Sequence, residues 1–238
     1  MTLQTRLSEL LRVMRDEQLA LPGYLSEADR EAVGTFENWS AKDVLAHNAY
    51  WTGNKLEELR MLERGELLLA RSDEEEDGVN AVQYERYRDT SLEDVLALLR
   101  DSYGRFESYV AGSTEAQLTA EYEAWDSPVW REIAGTAITH PMIHVWEYLQ
   151  KNGYQDELAA RFGPSFEQQL VALQDDPNWQ ATAFYNMACQ DALAGRHEAA
   201  IGRLSQAFLL YPPLRDWSQE DSDLDSLRDS EAFAALFE

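Results

Sequence analysis

The chain has 238 residues, 45% of them hydrophobic, and a net charge of −24 from 44 acidic and 20 basic residues. Both halves are acidic, which argues against nucleic acid and anionic membrane surfaces as partners. The single cysteine excludes an internal disulfide. Without an apolar signal core or a run of roughly 20 apolar residues, the sequence predicts a cytoplasmic protein.

Periodic apolar residues and capping signals predict four long helices in the first two thirds of the chain. Glycine and proline number only 12 and 7, and alternating strand patterns are nearly absent, which favours helices. The predicted helices run from about Leu3 to Leu19, Ser40 to Gly65, Ser91 to Gly112 and Val129 to Lys151. Ser40 and Asp43 have the spacing of a capping box. Four such helices with short connections predict an antiparallel four-helix bundle.

The segment RSDEEEDGVNAVQYERYRD, residues 71–89, contains a run of five acids. Such a charge run is typical of a solvated loop, and we expect a loop here. Calcium binding is disfavoured because the alternating ligands and central glycine of a calcium loop are missing.

The C-terminal residues WQATAFYNMACQDALAGRHEAAIGRLSQAFLLYP predict two helices joined at Gly195-Arg196. Small residues recur where the two helices approach, and Pro212-Pro213 ends the second. This pattern resembles a tetratricopeptide-repeat hairpin. One hairpin cannot bury its face alone, so we expect it to dock on the bundle, on Ala159–Leu173 or on another subunit. The predicted organisation is a bundle over 1–155, a connecting helix over 156–176, and a hairpin with its cap over 177–238.

Three of the four histidines occur on predicted bundle helices. His47 lies in the middle of the second helix, whereas His140 and His144 are four residues apart and share one face of the fourth. Imidazole is a common ligand of divalent metals, and three such ligands leave coordination positions open, as in catalytic sites. The alternative is three hydrogen-bonded core histidines. Pro141 predicts a kink, or a new helix start near Thr139, which could tilt His140 away from His144.

Two motifs around these histidines resemble the DinB-like four-helix-bundle superfamily. They are NWSAKDVLAHNAYW on the second helix and GTAITHPMIHVWEYLQKNG on the fourth. The segment GVNAVQYERYRDTSLEDVLALLRDSY resembles the branch of the colibactin self-protection protein (ClbS/DfsB type). The superfamily resemblance implies a metal triad of His47, His140 and His144, with zinc or nickel preferred and iron or manganese possible. It also implies small-molecule chemistry, such as hydrolysis, isomerisation or thiol transfer, in detoxification or stress.

Five further residues are candidates for lining the pocket or for hydrogen bonding to a ligand imidazole and so orienting it: Asn48, Trp51, Asn80, Tyr84 and Glu147. Core packing for Trp51 and plain surface positions for Asn48 and Glu147 are the alternatives. Cys189 occupies a small-residue position of the hairpin and is interpreted as a packing thiol. His197 is expected to be exposed.

Three functions stay open at this point. The first is a metal-dependent enzyme acting on a small-molecule ligand. The second, implied by the self-protection branch, is a metal-free bundle that binds or hydrolyses a reactive natural product. The third is a non-enzymatic interaction protein acting through the hairpin, and a homodimer is compatible with each. Phosphate-binding loops and nucleophile elbows are absent from the sequence.

Overall fold

Side-chain caps begin the long helices at the predicted positions. In the computed structural model, which describes residues 1–68, 71–125 and 127–237, the Ser40 hydroxyl accepts from the amide of Asp43. The Asp43 carboxylate in turn accepts from the amide of Ser40. This confirms the capping box, which satisfies two helix-terminal amides. Ser91 caps a later helix by accepting from the amide of Asp94.

Contacts divide the chain into two units, residues 1–161 and 162–238. Nine helices are described in the first unit: α1 (Leu3–Ala20), α2 (Glu27–Arg30), α3 (Ala41–Glu63), α4 (Asp73–Tyr87), α5 (Leu92–Gly112), α6 (Glu115–Leu118), α7 (Val129–Ala134), α8 (His140–Lys151) and α9 (Gln155–Arg161). Five are described in the second: α10 (Pro164–Val171), α11 (Pro177–Leu193), α12 (His197–Leu210), α13 (Leu214–Ser218) and α14 (Glu231–Ala234). The described residues contain two isolated β-bridges and no strand, so the predicted all-α class is confirmed.

In the first unit, helices α1, α3, α5 and the α7–α8 pair pack around a shared core. Leu11, Leu45, Leu99, Phe106 and Met142 are fully buried in it. Burial of each such side chain contributes about 1.5–3 kcal/mol. The core holds α3 and α8 side by side, which matters because these two helices carry the three histidines. No described helix has the length and apolar character needed to cross a membrane.

The acidic segment 71–89 is largely helix α4, so the predicted loop is wrong. The Ser72 hydroxyl accepts from the amide of Glu75, and the Glu75 carboxylate accepts from the amide of Ser72. Acidic side chains in the first turn also interact favourably with the positive end of the helix dipole. The expectation that the acids are solvated is met for Glu74, Glu75, Glu76 and Asp77, which are exposed; the side chain of Asp73 lies outside the described part.

The fourth long helix is interrupted before Pro141 by a π-helical turn over Gly135–Thr139. The amide of His140 donates to the carbonyl of Gly135, five residues earlier instead of four. Helix α8 then begins at His140 with Pro141 in its first turn, where a missing N–H is tolerated. The predicted helix start near Thr139 is therefore confirmed.

The second unit is built on the hairpin of α11 and α12. Gly195 has a positive φ of 72° at the connection, a conformation that favours glycine. The Trp179 indole donates to the carbonyl of Leu170 at 2.9 Å, so α11 docks on α10, within the predicted segment 159–173. The side chain of Ala159, which begins that segment, lies outside the described part. His197 is exposed, and the likeness to a tetratricopeptide repeat stays a prediction.

Candidate metal centre

The structure brings His47, His140 and His144 together at one point of the bundle. The Nε2 atom of His140 lies 3.2 Å from Nε2 of His47 and 3.1 Å from Nε2 of His144. One ligand nitrogen from each histidine lies within 4.8 Å of the other two. Pro141 therefore does not tilt His140 away from His144, and that expectation is wrong: the π turn places the proline in the first turn of α8 instead of bending its middle.

The nitrogen spacing fits a single divalent metal. Ligand nitrogens at about 2.0–2.1 Å from zinc are about 3.3–3.4 Å apart in tetrahedral geometry, and about 2.9 Å apart at octahedral right angles. The observed separations of 3.1 and 3.2 Å lie between these values. The Nε2 atom of His140 is therefore spaced from the other two Nε2 atoms as ligands of one ion are, and the whole group lies within 4.8 Å.

The protonation states also fit a metal. Burial, followed by repulsion from neighbouring imidazoles, lowers the pKa of His47 to about 2 and that of His140 to about 3. Both rings are thus neutral at pH 7, the form in which histidine binds metals. An imidazole nitrogen either donates one hydrogen bond or accepts one, so Nε2 of His140 cannot form a good hydrogen bond to both of its neighbours at once. A cation that binds the Nε2 lone pairs of all three histidines matches this arrangement better.

Charged and aromatic groups surround the triad. The Glu147 carboxylate is 3.5 Å from Nδ1 of His144, on the side facing away from the shared point. The Trp39 ring centroid lies 4.6 Å from that of His47 and 5.8 Å from that of His144. In the described part of the chain, the buried Nδ1 of His140 has no hydrogen-bond partner. Glu147 can therefore orient His144, whereas no described side chain does the same for His140.

A cavity of about 340 Å³ opens beside the three histidines. Its walls come from α3, α4, the π turn, α8 and the segments that precede α3 and α4. Besides the histidines, the lining residues are Trp39, Trp51, Lys55, Glu58, Arg71, Glu76, Asn80, Gly135 and Thr136. The site thus combines potential metal ligands with room for a small molecule.

The remaining candidates occupy different places. Trp51 and Asn80 line the cavity, and the Trp51 indole donates to Asn80 Oδ1 at 2.9 Å. Tyr84 lines a smaller adjoining pocket that also reaches His47, and its hydroxyl donates to the carbonyl of Gly34. The structure does not bring Asn48 to the cavity: its fully buried side chain donates to Gln18 on the far side of α3.

Sequence reasoning missed Lys55, Glu58 and Arg71. His47, Trp51, Lys55 and Glu58 are separated in turn by four, four and three residues. Helical periodicity alone therefore places Lys55 and Glu58 on the same face of α3 as His47. Arg71 lies beyond the end of α3, and no local pattern predicts its return to this face.

A second group of potential ligands lies in the C-terminal unit, where Cys189, Asp221 and Asp223 have ligand atoms within 4.8 Å of one another. Tyr185 donates to Asp221 at 2.8 Å. Burial and the nearby Asp221 carboxylate raise the pKa of the Cys189 thiol, so it stays protonated at neutral pH. This supports the interpretation of Cys189 as a packing thiol.

The fold and the site define a class of protein: a helical bundle with a three-histidine centre at the wall of a small-molecule cavity. The model of the DinB superfamily matches residues 2–148, and the chain belongs to that superfamily. No curated protein and no solved structure shows significant similarity to it.

Proposed function

We propose that this protein binds one divalent metal ion, preferably zinc or nickel, through His47, His140 and His144, and acts on a small molecule. The observation that carries the proposal is the convergence of three imidazole nitrogens, with separations of 3.1 and 3.2 Å about His140. A bound ion supplies Lewis-acid polarisation of a carbonyl, or a lowered pKa of coordinated water or thiol. Hydrolysis, isomerisation and thiol transfer in detoxification or stress are the corresponding reaction classes.

The surrounding side chains have distinct tasks in this proposal. The Trp39 ring covers His47 and His144 and limits access of water to them. The Glu147 carboxylate, 3.5 Å from Nδ1 of His144, favours the tautomer with N–H at Nδ1 and so directs the Nε2 lone pair inward. Trp51 and Asn80 form a hydrogen-bonded wall that shapes the space for the substrate.

The test is metal analysis of untagged protein purified without chelator, combined with thermal unfolding in the presence of added zinc or nickel. About one metal equivalent and a metal-dependent rise in Tm are expected for the wild type. H47N, H140N and H144N lower the stoichiometry and abolish the rise, whereas H197N at an exposed position behaves as wild type. A wild-type protein with no bound metal and no shift in Tm would refute the proposal.

A second candidate is a metal-free bundle that binds or hydrolyses a reactive natural product. It is favoured by the cavity walls that do not involve the histidines, notably Trp51, Asn80 and Arg71. The discriminating experiment measures survival of cells that express the folded H47N/H140N/H144N variant during exposure to electrophilic natural products. Full protection by the triple variant favours this candidate, and its loss favours the metal-dependent function.

A further inference from the structure

Arg71 lies at the edge of the histidine cavity with most of its guanidinium uncommitted. Its side chain is 34% exposed and contacts the Glu58 carboxylate through a single nitrogen at 3.2 Å. The guanidinium carbon lies 5.8 Å from the centre of the Trp51 ring. An arginine has five N–H donors. A contact through one nitrogen therefore leaves two neighbouring N–H groups of the guanidinium available to bind a ligand side by side.

Lys55 and Glu58, two other charged residues of the wall, are already paired with each other and with further groups. Glu58 accepts from Asn54 at 2.8 Å and pairs with Lys55 at 3.1 Å. Lys55 also pairs with Glu132 at 3.0 Å and lies 4.5 Å from the centre of the Trp125 ring. Because Lys55 is held between two carboxylates, Arg71 is the cation of the described cavity wall that is free to bind an incoming anion.

The Arg71 guanidinium is within reach of a molecule bound at the histidines. It lies 5.8 Å from the centre of the Trp51 ring, which is itself 6.3 Å from the centre of the His47 ring. Arg71 and His47 are therefore at most about 12 Å apart by these two distances. An aliphatic chain of moderate length spans that gap inside a cavity of about 340 Å³.

We propose that Arg71 is a specificity-determining residue that binds a carboxylate of the substrate while the opposite end of the substrate lies at the histidines. The guanidinium fork matches the two oxygens of a carboxylate. A net charge of −24 repels anions in general, so a local cation is needed to admit one. Glu76 lines the same cavity and is exposed, which favours a singly charged group over a dianion. The orientation of the substrate rests on the proposed metal function.

Cobalt-substituted protein and hydroxamate probes test this inference. The probes are aliphatic hydroxamic acids of graded chain length that end in a carboxylate, a methyl group or an ammonium group, and binding is followed by the visible absorption of cobalt. At the best length the carboxylate probe binds at least about tenfold more tightly than its methyl match, as expected for a charge-assisted hydrogen bond. R71Q removes that preference and leaves binding of the methyl probe unchanged.

Arg60→Gln is the matched control, because Arg60 lies on α3 outside the cavity lining, is partly exposed, and pairs with Glu57 at 3.0 Å. R60Q retains the preference for the carboxylate. Equal binding of carboxylate and methyl probes in the wild type overturns the role of Arg71. The role of Arg71 is also overturned if the ammonium probe binds most tightly and E76Q abolishes that binding. That result would mean that the mouth of the cavity binds a cation.

A metal-free measurement separates this inference from the proposed function. Calorimetric titration of chelator-treated protein with octanoate is expected to show binding that R71Q weakens at least about tenfold and R60Q does not. If cobalt gives no histidine-ligand spectrum but octanoate binding still depends on Arg71, the metal function fails and the anion subsite stands. If the cobalt spectrum forms and octanoate binding is independent of Arg71, the subsite fails and the metal function stands.

Discussion

The Tyr103 hydroxyl donates a hydrogen bond of 2.8 Å to the carbonyl of Ala137. In an uninterrupted α-helix that carbonyl accepts from the amide of residue 141, which here is a proline without an N–H. The same hydroxyl accepts from Gln18 at 2.8 Å, and Gln18 accepts from Asn48 at 2.9 Å. A buried polar chain from α1, α3 and α5 thus replaces the missing helical donor, three residues before His140.

Replacing Tyr103 with phenylalanine is expected to destabilise the fold by about 1–3 kcal/mol, because the Ala137 carbonyl and the Gln18 amide lose a partner where water cannot reach them. Urea unfolding measures this loss. Tyr109→Phe is the control on the same helix: its hydroxyl donates to Glu63 near the surface, and a change below about 0.5 kcal/mol is expected. Equal losses in the two variants would show that the buried Tyr103 hydrogen bond contributes no more to the free energy of unfolding than the Tyr109 hydrogen bond near the surface.

The stability of the metal-free protein is expected to fall as the pH drops below 6.5. The folded-state pKa is about 2 for His47 and about 3 for His140, whereas in the unfolded chain both have ordinary values near 6.5. At pH 7 both rings are neutral in the folded state and mostly neutral in the unfolded chain. Below pH 6.5 only the unfolded state binds these two protons, which lowers the free energy of unfolding by up to about 1.4 kcal/mol per pH unit for each histidine.

Urea unfolding at pH 7.0 and 5.5 in the presence of chelator measures this dependence. H47Q/H140Q should lose less stability than the wild type over this interval, because neither glutamine titrates. H197Q, which changes an exposed histidine, should match the wild type. The same acid-induced loss in all three proteins would contradict the assignment to the buried pair.

Glu147→Gln is expected to weaken zinc binding by about tenfold, since a carboxylate behind a ligand imidazole orients the ring and raises its basicity. The relevant contact is the 3.5 Å approach of Glu147 to Nδ1 of His144. Competition with a chromophoric chelator gives the affinity. Glu93→Gln removes an exposed acid of α5 and serves as the control for net charge; an affinity of E147Q no lower than that of E93Q would rule out the orienting role.

Asn80→Ala is expected to loosen α4. This helix has no buried residue among its described side chains, and polar contacts such as the Trp51–Asn80 hydrogen bond of 2.9 Å attach it to the bundle. Loss of about 1 kcal/mol corresponds to roughly fivefold faster amide exchange over residues 73–87. Val82→Ala, at a position 64% exposed on the same helix, should leave exchange unchanged. Equal exchange in N80A and V82A would mean that other contacts hold α4.

The histidine triad could be predicted from sequence because two motifs, far apart in the chain, resemble one family pattern, and the fold that such a pattern implies packs their helices together. Helix α4 was missed because the acid run was interpreted as solvation alone, although Ser72 and Glu75 have capping-box spacing. The prediction that Asn48 belongs to the pocket was wrong for a geometric reason. Adjacent residues on a helix point about 100° apart, so Asn48 faces Gln18 while His47 faces the cavity.

The π turn also changes the backbone of the cavity wall. Because the amide of His140 donates to Gly135, it does not serve the carbonyl of Thr136, its partner in an α-helix, and Pro141 has no amide to take its place. Gly135 and Thr136 both line the cavity. The interruption of the helical hydrogen-bond ladder therefore falls in the stretch of main chain that borders the cavity, so the cavity wall is shaped there by the π turn and Pro141 as well as by side chains.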